Sequence, residues 1–170
     1  MLSVIAALCA IEAQAFGGNV NYHALYAYVK LNGVAVWRAS WAAEYPRNRG
    51  VNVMIVDLAS CTMQEWRKFD TFGDRTAAAR LRDYIQGLSN GTVLVGVSCD
   101  SAVNRLSQAF AALRSLGADV SDVRPSGAWV FVAVKGDPSK TVIDKLLTEA
   151  TDANVRQPQV NANFGKCDLS

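Results

Sequence analysis

Acid–base and nucleophilic chemistry has few residues to build on in this chain. His23 is the one histidine, so a Ser-His-Asp or Cys-His site has to include it, and a centre with several histidine ligands is excluded. It alternates with tyrosines between Tyr22 and Leu31, where an imidazole is more often packed or solvated than basic in function. Cys9, Cys61, Cys99 and Cys167 show no C-x-x-C spacing, which speaks against a zinc knuckle or a thioredoxin-type pair. Neither a Gly-x-Gly-x-x-Gly fingerprint nor a Walker sequence occurs. Asp57, Asp70, Asp74 and Asp100 offer carboxylates for a glycoside-processing pair, although Asp70 and Asp74 stand where turn and cap residues belong. The expectation is a protein that binds without catalysing, with no cofactor and no metal. A glycoside-processing enzyme ranks third, behind two kinds of binding protein.

The elements that position these residues draw on a well-filled core. Of the 170 residues, 51% are hydrophobic and 19% charged, a composition that excludes a disordered chain and fits one domain. The net charge of +2 is too small to argue for a nucleic-acid partner. Met1 to Ala15, MLSVIAALCAIEAQA, has the layout of a secretory leader: an apolar run, then small-x-small at Ala13-Gln14-Ala15. The run is shorter than the roughly 20 apolar residues that span a bilayer, so no membrane insertion is expected. Leu2, Ile5, Leu8 and Cys9 also fit one face of a buried helix. On the leader reading, residues 1–15 are removed, residues 16–170 form a single domain, and the protein is secreted and extracellular. Cys61 and Cys99 each follow a hydrophobic run and are expected to lie within bridging distance, leaving Cys167 for a second chain and oligomerisation. In a reducing compartment the same cysteines are buried thiols. Asn90-Gly91-Thr92 is a glycosylation sequon that matters only on export.

Alternation places Tyr22, Ala24, Tyr26 and Tyr28 on one face of a strand and His23, Leu25, Ala27 and Val29 on the other. Asn32-Gly33 then signals a tight hairpin, returning through Val34 to Ser40. Trp37, Trp41 and Tyr45 fit a strand face or a helical stripe equally. Strands are expected at Val51–Leu58, Met63–Phe69, Thr92–Ser98 and Ala128–Val134. One helix follows Asp74, a second is capped by Asp100 or Ser101 and ends at Gly117, and a third starts at Asp137-Pro138. From about Thr151 the tail is polar and aperiodic. The fold class expected is α/β: a sandwich of a mixed β-sheet and an antiparallel hairpin layer, with about three helices.

Arg49-Gly50-Val51-Asn52-Val53-Met54-Ile55-Val56-Asp57 resembles the Arg-Gly-x-Asn-Val-hydrophobic strand of ILEI/PANDER-like domains. Phe69-Asp70-Thr71-Phe72 is similar to that family's Phe-Asp-Thr-aromatic motif, and Ser98-Cys99-Asp100 to its strand ending in Asp. Arg124 to Gly136 resembles its Arg-Asp-x-Trp-hydrophobic-Lys-Gly strand, with Arg124 five residues before Trp129 where the family has three. Such domains occur in small secreted cytokine-like proteins and in the stem of the glycosyltransferase that adds N-acetylglucosamine to O-mannose. The resemblance implies a sugar site made by Arg49, Asp100 and Arg124, since guanidinium forks and a carboxylate can grip vicinal hydroxyls. Trp129 or Phe72 could cover the apolar face of the ring. The structural alternative is an Arg49–Asp100 ion pair, with Asp100 capping the second helix. Two functions follow: lectin-like binding of a terminal sugar, or a cytokine-like or structural extracellular protein that binds another protein. Hairpin aromatics gathered into an exposed patch would favour the second.

Overall fold

Two antiparallel sheets face each other across one apolar layer, and helices cover the outer face of the larger sheet. The computed structural model describes residues 9–17, 25–40, 47–148 and 157–165. The smaller sheet holds β1 (Cys9–Gln14), β2 (Tyr26–Leu31), β3 (Val34–Ser40) and β9 (Gln159–Phe164), in the order β3-β2-β1-β9. The larger holds β4 (Gly50–Asp57), β5 (Thr62–Phe69), β6 (Val93–Cys99), β7 (Ala128–Val134) and β8 (Asp137–Leu146), in the order β5-β4-β6-β7-β8. Helix α1 (Ala77–Gly87), a 3-10 turn at Ser107–Ala109 and α2 (Phe110–Ser115) pack on this second sheet.

The layering follows from residue alternation. Met54, Val56, Val95, Val97, Val130 and Val132 point into the sandwich, while Val51, Val53, Leu94, Trp129 and Phe131 point to the helices. Covered on both faces, β4, β6 and β7 therefore read as continuous apolar runs. The smaller sheet is covered on one face. Ile11, Ala13, Ala27, Val29 and Val160 turn inward, and polar or tyrosine residues alternate outward. Asn32 and Gly33 both have positive φ, as the tight hairpin requires.

β1 is fastened to the opposite sheet at both ends. Cys9 is bridged to Cys61, just beyond β4. Past the other end, the Phe16 N–H donates to the Ser98 carbonyl at 3.3 Å and the Asp100 N–H to the Phe16 carbonyl at 3.0 Å.

Several expectations need correction. Among the described residues the architecture is mostly β, with two short helices, and both sheets are antiparallel rather than mixed. The expected third helix is strand β8. Gly136, at φ +84, turns the chain back along β7, and Pro138 is tolerated because β8 is an edge strand. The second helix starts late because Asp100 has a left-handed φ of +58, which no N-cap adopts. The polar tail contains β9, whose Val160, Ala162 and Phe164 alternate into the core. Cys9–Gln14, expected in a leader or a buried helix, is the strand between β2 and β9. Cys61 pairs with Cys9, not Cys99. β4 and β6 are antiparallel, with Gly50 opposite Cys99, so Cys61 and Cys99 follow strands that end on opposite sides of the sheet. His23, Trp41, Tyr45 and Cys167 lie outside the described residues.

The bridge closes a loop of sequence separation 52, for which chain entropy gives about 4 kcal/mol of stabilisation. Cys9→Ser with Cys61→Ser is expected to lower unfolding free energy by roughly 2–5 kcal/mol in urea titrations. Deleting residues 1–15 removes β1 altogether and should abolish the cooperative transition.

Candidate functional site

Arg49, Asp70 and Asp100 lie at the sheet end where β4 starts and β5 and β6 finish. Gly50 has φ +103, and a side chain there would stand 2.2 Å from the Phe69 carbonyl, so β4 approaches β5 as only glycine allows. That closeness brings Arg49 to Asp70. The guanidinium donates to both carboxylate oxygens, Nε at 3.1 Å and Nη2 at 2.8 Å, and lies 4.6 Å from the Phe72 ring centroid. The Asp70 carboxylate also accepts the Gly73 N–H at 2.9 Å. Burial pushes the Asp70 carboxyl upward, but its bonds to Arg49 and Gly73 outweigh this and hold it below the usual range. Thr71, fully buried, donates its hydroxyl to the Ala102 carbonyl. Asn52, also fully buried, donates to the Asn48 carbonyl at 2.8 Å and accepts the Trp66 indole N–H at 3.1 Å.

These contacts decide where each expected site residue stands. Arg49 pairs with Asp70 at 2.8 Å, and its charge also acts on Asp100. Asp100 is 7% exposed, hydrogen-bonds Ser101, and is pushed upward mainly by burial. Arg49 and Asp100 do line one cleft with Phe16, Ser40 and Asn48, but its volume is about 10 Å³, room for roughly one water. Arg124 is exposed, outside that cleft, and its backbone N–H is bonded to the Leu147 carbonyl at 2.8 Å. Trp129 cannot cover a sugar. It is fully buried under the helices and stacked on Phe131. Asn90 is exposed on the turn before β6.

Asp70 and Asp100 are displaced in opposite directions, a pattern that acid–base chemistry also uses. Here one carboxylate is held by Arg49 and the other faces a cleft too small for a sugar. Asp57 and Asp74 are engaged in local turn bonds to Ser60 and Thr76. The letters of a nucleophile elbow do occur, Gly87-Leu88-Ser89-Asn90-Gly91, but they join α1 to β6, and the elbow needs the reverse, strand to helix. Among the described residues no group of three or more His, Cys, Asp or Glu is placed to hold a metal.

A larger concavity lies elsewhere, on the outer face of the smaller sheet. It is an open groove of about 560 Å³, lined by Tyr26, Tyr28, Lys30, Arg38 and Ser40. The Tyr26 and Tyr28 rings stack with centroids 5.9 Å apart; Tyr26 is 50% exposed and Tyr28 is buried. The Tyr28 hydroxyl donates to Glu12 Oε1, which also accepts from Lys30 at 3.3 Å and Gln159 at 3.1 Å. The Tyr28 bond chiefly lowers the Glu12 carboxyl, while burial and then Glu12 raise the phenol. Lys30 also lies 4.5 Å from the Tyr28 ring centroid. Tyr28 is thus fixed by a polar network, and Tyr26 is the face left open. The alternation of Tyr26 and Tyr28 signalled a shared face. Whether that face met solvent depended on a second layer that the pattern does not reveal.

A family model described as interleukin-like EMT inducer, or ILEI, matches residues 49–137. The human cell migration-inducing and hyaluronan-binding protein is 31% identical over 101 residues, covering 58% of this chain and 7% of the relative. The mouse protein of the same name is 30% identical over the same length and shares. The chain therefore spans a small fraction of the relatives it matches. Among the described residues no helix is long and apolar enough to cross a membrane.

The two rim carboxylates should respond oppositely to substitution and pH. Asp70→Asn is expected to cost about 2 kcal/mol by loss of charge-assisted bonds. The Asp70 contribution is complete above the ordinary aspartate value near 4 and drains away as pH falls through the lower value of the folded state. Asp100→Asn should stabilise at pH 7, and that gain should vanish below about pH 4, where the buried carboxyl is neutral in both states. Urea unfolding of both variants at pH 7 and at pH 3.5 measures each sign.

Proposed function

We propose, from the premise that this chain belongs to the interleukin-like EMT inducer family, that it is an extracellular, non-catalytic recognition domain that binds a glycan. The observation that carries the reading is the groove over Tyr26 and Tyr28. A half-exposed ring lying on a sheet offers an apolar platform to the C–H face of a pyranose. Arg38, Ser40 and Lys30 beside it supply donors for hydroxyl or carboxylate groups. The volume of about 560 Å³ lies within the roughly 300–1,000 Å³ typical of ligand sites. The Cys9–Cys61 bridge supports an oxidising compartment. The name of the human and mouse relatives supports an acidic polysaccharide as ligand.

A second reading, docking of another protein, is favoured by Val34 and Trp66, which stand 67% and 41% exposed on the edge strands β3 and β5. The sugar site that the family resemblance implies at Arg49, Asp100 and Arg124 competes with the tyrosine groove. Its cleft is much the smaller, and its first arginine is already engaged.

Titration calorimetry with a hyaluronan hexasaccharide separates these readings. Tyr26→Ala is expected to weaken binding about tenfold, or about 1.4 kcal/mol, with Asp100→Asn close to wild type and no oligosaccharide cleaved. The reverse order of effects would move the site to the rim, and absence of binding would leave the protein-docking reading. When the chain is expressed through a secretory pathway, Asn90 should carry a glycan, seen as a mass shift that Asn90→Gln abolishes.

A further inference from the structure

The seam between the two edge strands repeats one pair of residues. β3 carries Trp37-Arg38 and β5 carries Trp66-Arg67. Trp37 and Trp66 meet at the sandwich edge, their ring centroids 6.4 Å apart. Neighbours on a strand point to opposite faces. Arg38 therefore faces out from the smaller sheet into the tyrosine groove, and Arg67 faces out from the larger sheet toward α1.

Arg67 opens a second groove, of about 410 Å³, lined by Arg67, Lys68, Phe69, Arg80, Asp83 and Tyr84. Its lining holds three cations and one carboxylate, Asp83, with Glu65 and Asp74 standing beside Arg67 and Arg80. The Arg67 guanidinium lies 4.8 Å from the Tyr84 ring centroid and is paired with Glu65. Arg80 is paired with Asp74, and Lys68 donates to the Arg47 carbonyl at 2.6 Å. Such exposed pairs are weak, so a ligand anion can exchange for Glu65 or Asp74 at little cost. Tyr84, its ring centroid 5.7 Å from that of buried Phe69, adds aromatic surface to the groove.

Resting on the glycan reading above, we infer that the ligand is an extended polyanionic polysaccharide. It lies in the Tyr26 groove, crosses the Trp37–Trp66 seam, and continues into the Arg67–Lys68–Arg80 groove. Trp66 is 41% exposed and gives the crossing chain an apolar step between Arg38 and Arg67. A short or neutral sugar uses the first groove only. A long acidic one reaches both, gaining affinity through the second as a tethered partner does.

The test uses the full chain and oligosaccharides of alternating uronate and N-acetylhexosamine, a tetrasaccharide and a dodecasaccharide. Wild-type protein is expected to bind the longer at least tenfold more tightly, with the steeper loss of affinity as salt is raised. The triple variant Arg67→Gln, Lys68→Gln, Arg80→Gln should bind the tetrasaccharide as wild type does and lose the advantage of length. Equal binding of both lengths by the wild type overturns the path and leaves the Tyr26 site intact. So does an unchanged length advantage in a triple variant whose urea midpoint is preserved. Should neither oligosaccharide bind, the glycan reading itself fails. Salt dependence and length dependence in the wild type keep the test decisive even if the triple variant does not fold.

Discussion

Everything in this molecule depends on how β1 is held. It is an inner strand of the smaller sheet, with β2 on one side and β9 on the other. A covalent bridge at Cys9 and backbone hydrogen bonds at Phe16 pin its two ends to the larger sheet. Two sheets that touch only through side chains can slide, because apolar packing has no preferred direction. A strand anchored at both ends fixes their relative register. The tyrosine groove, the Trp37–Trp66 seam and the rim at Arg49 inherit that register.

The rim shows how a sequence motif can mark architecture more strongly than chemistry. Each polar residue of the Arg-Gly-x-Asn and Phe-Asp-Thr-Phe segments has an internal use. Arg49 grips Asp70 above Phe72, Asn52 joins the Asn48 carbonyl to the Trp66 indole, and Thr71 ties β5 to the loop at Ala102. Buried polar groups need such partners, since an unmade bond there costs about 1–3 kcal/mol. A carboxylate and a guanidinium that satisfy each other in this way are poorly placed to exchange their bonds for a ligand's. The outer face of the smaller sheet is different. Its arginine and its more exposed tyrosine project into solvent.

Much of the fold was legible in the residues. Asn32-Gly33 fixed a hairpin because a tight turn needs positive φ at both positions. β4, β6 and β7 were legible as unbroken apolar runs, and α1 as a 3.6-residue stripe through Ala77, Leu81 and Ile85. β1 was hidden because a buried central strand and the apolar core of a leader have the same composition. β8 was hidden because Asp-Pro before Val142 and Ile143 also suits a helix start, and only the return from β7 makes it a strand. The cysteine pairing could not be read without strand direction, since antiparallel neighbours send their ends apart. Of the candidate site, Arg49 and Asp100 line one small cleft, without Arg124. Trp129 was misplaced, because an indole in an apolar strand looks the same whether it faces solvent or a helix.

The pairing of β1 with β9 also orders events during synthesis. β4 to β8 are contiguous between residues 50 and 146, so the larger sheet can assemble as those residues leave the ribosome. β1 emerges before all of them yet gains its second neighbour, residues 159–164, after all of them. Until then one edge of β1 stays open to any other strand it meets, a standing invitation to mispairing in a nascent chain. The thiols of Cys9 and Cys61 can meet once residue 61 is made, well before β9 exists. Oxidation at that stage would hold β1 against the larger sheet while it waits, converting a late, long-range closure into a local one.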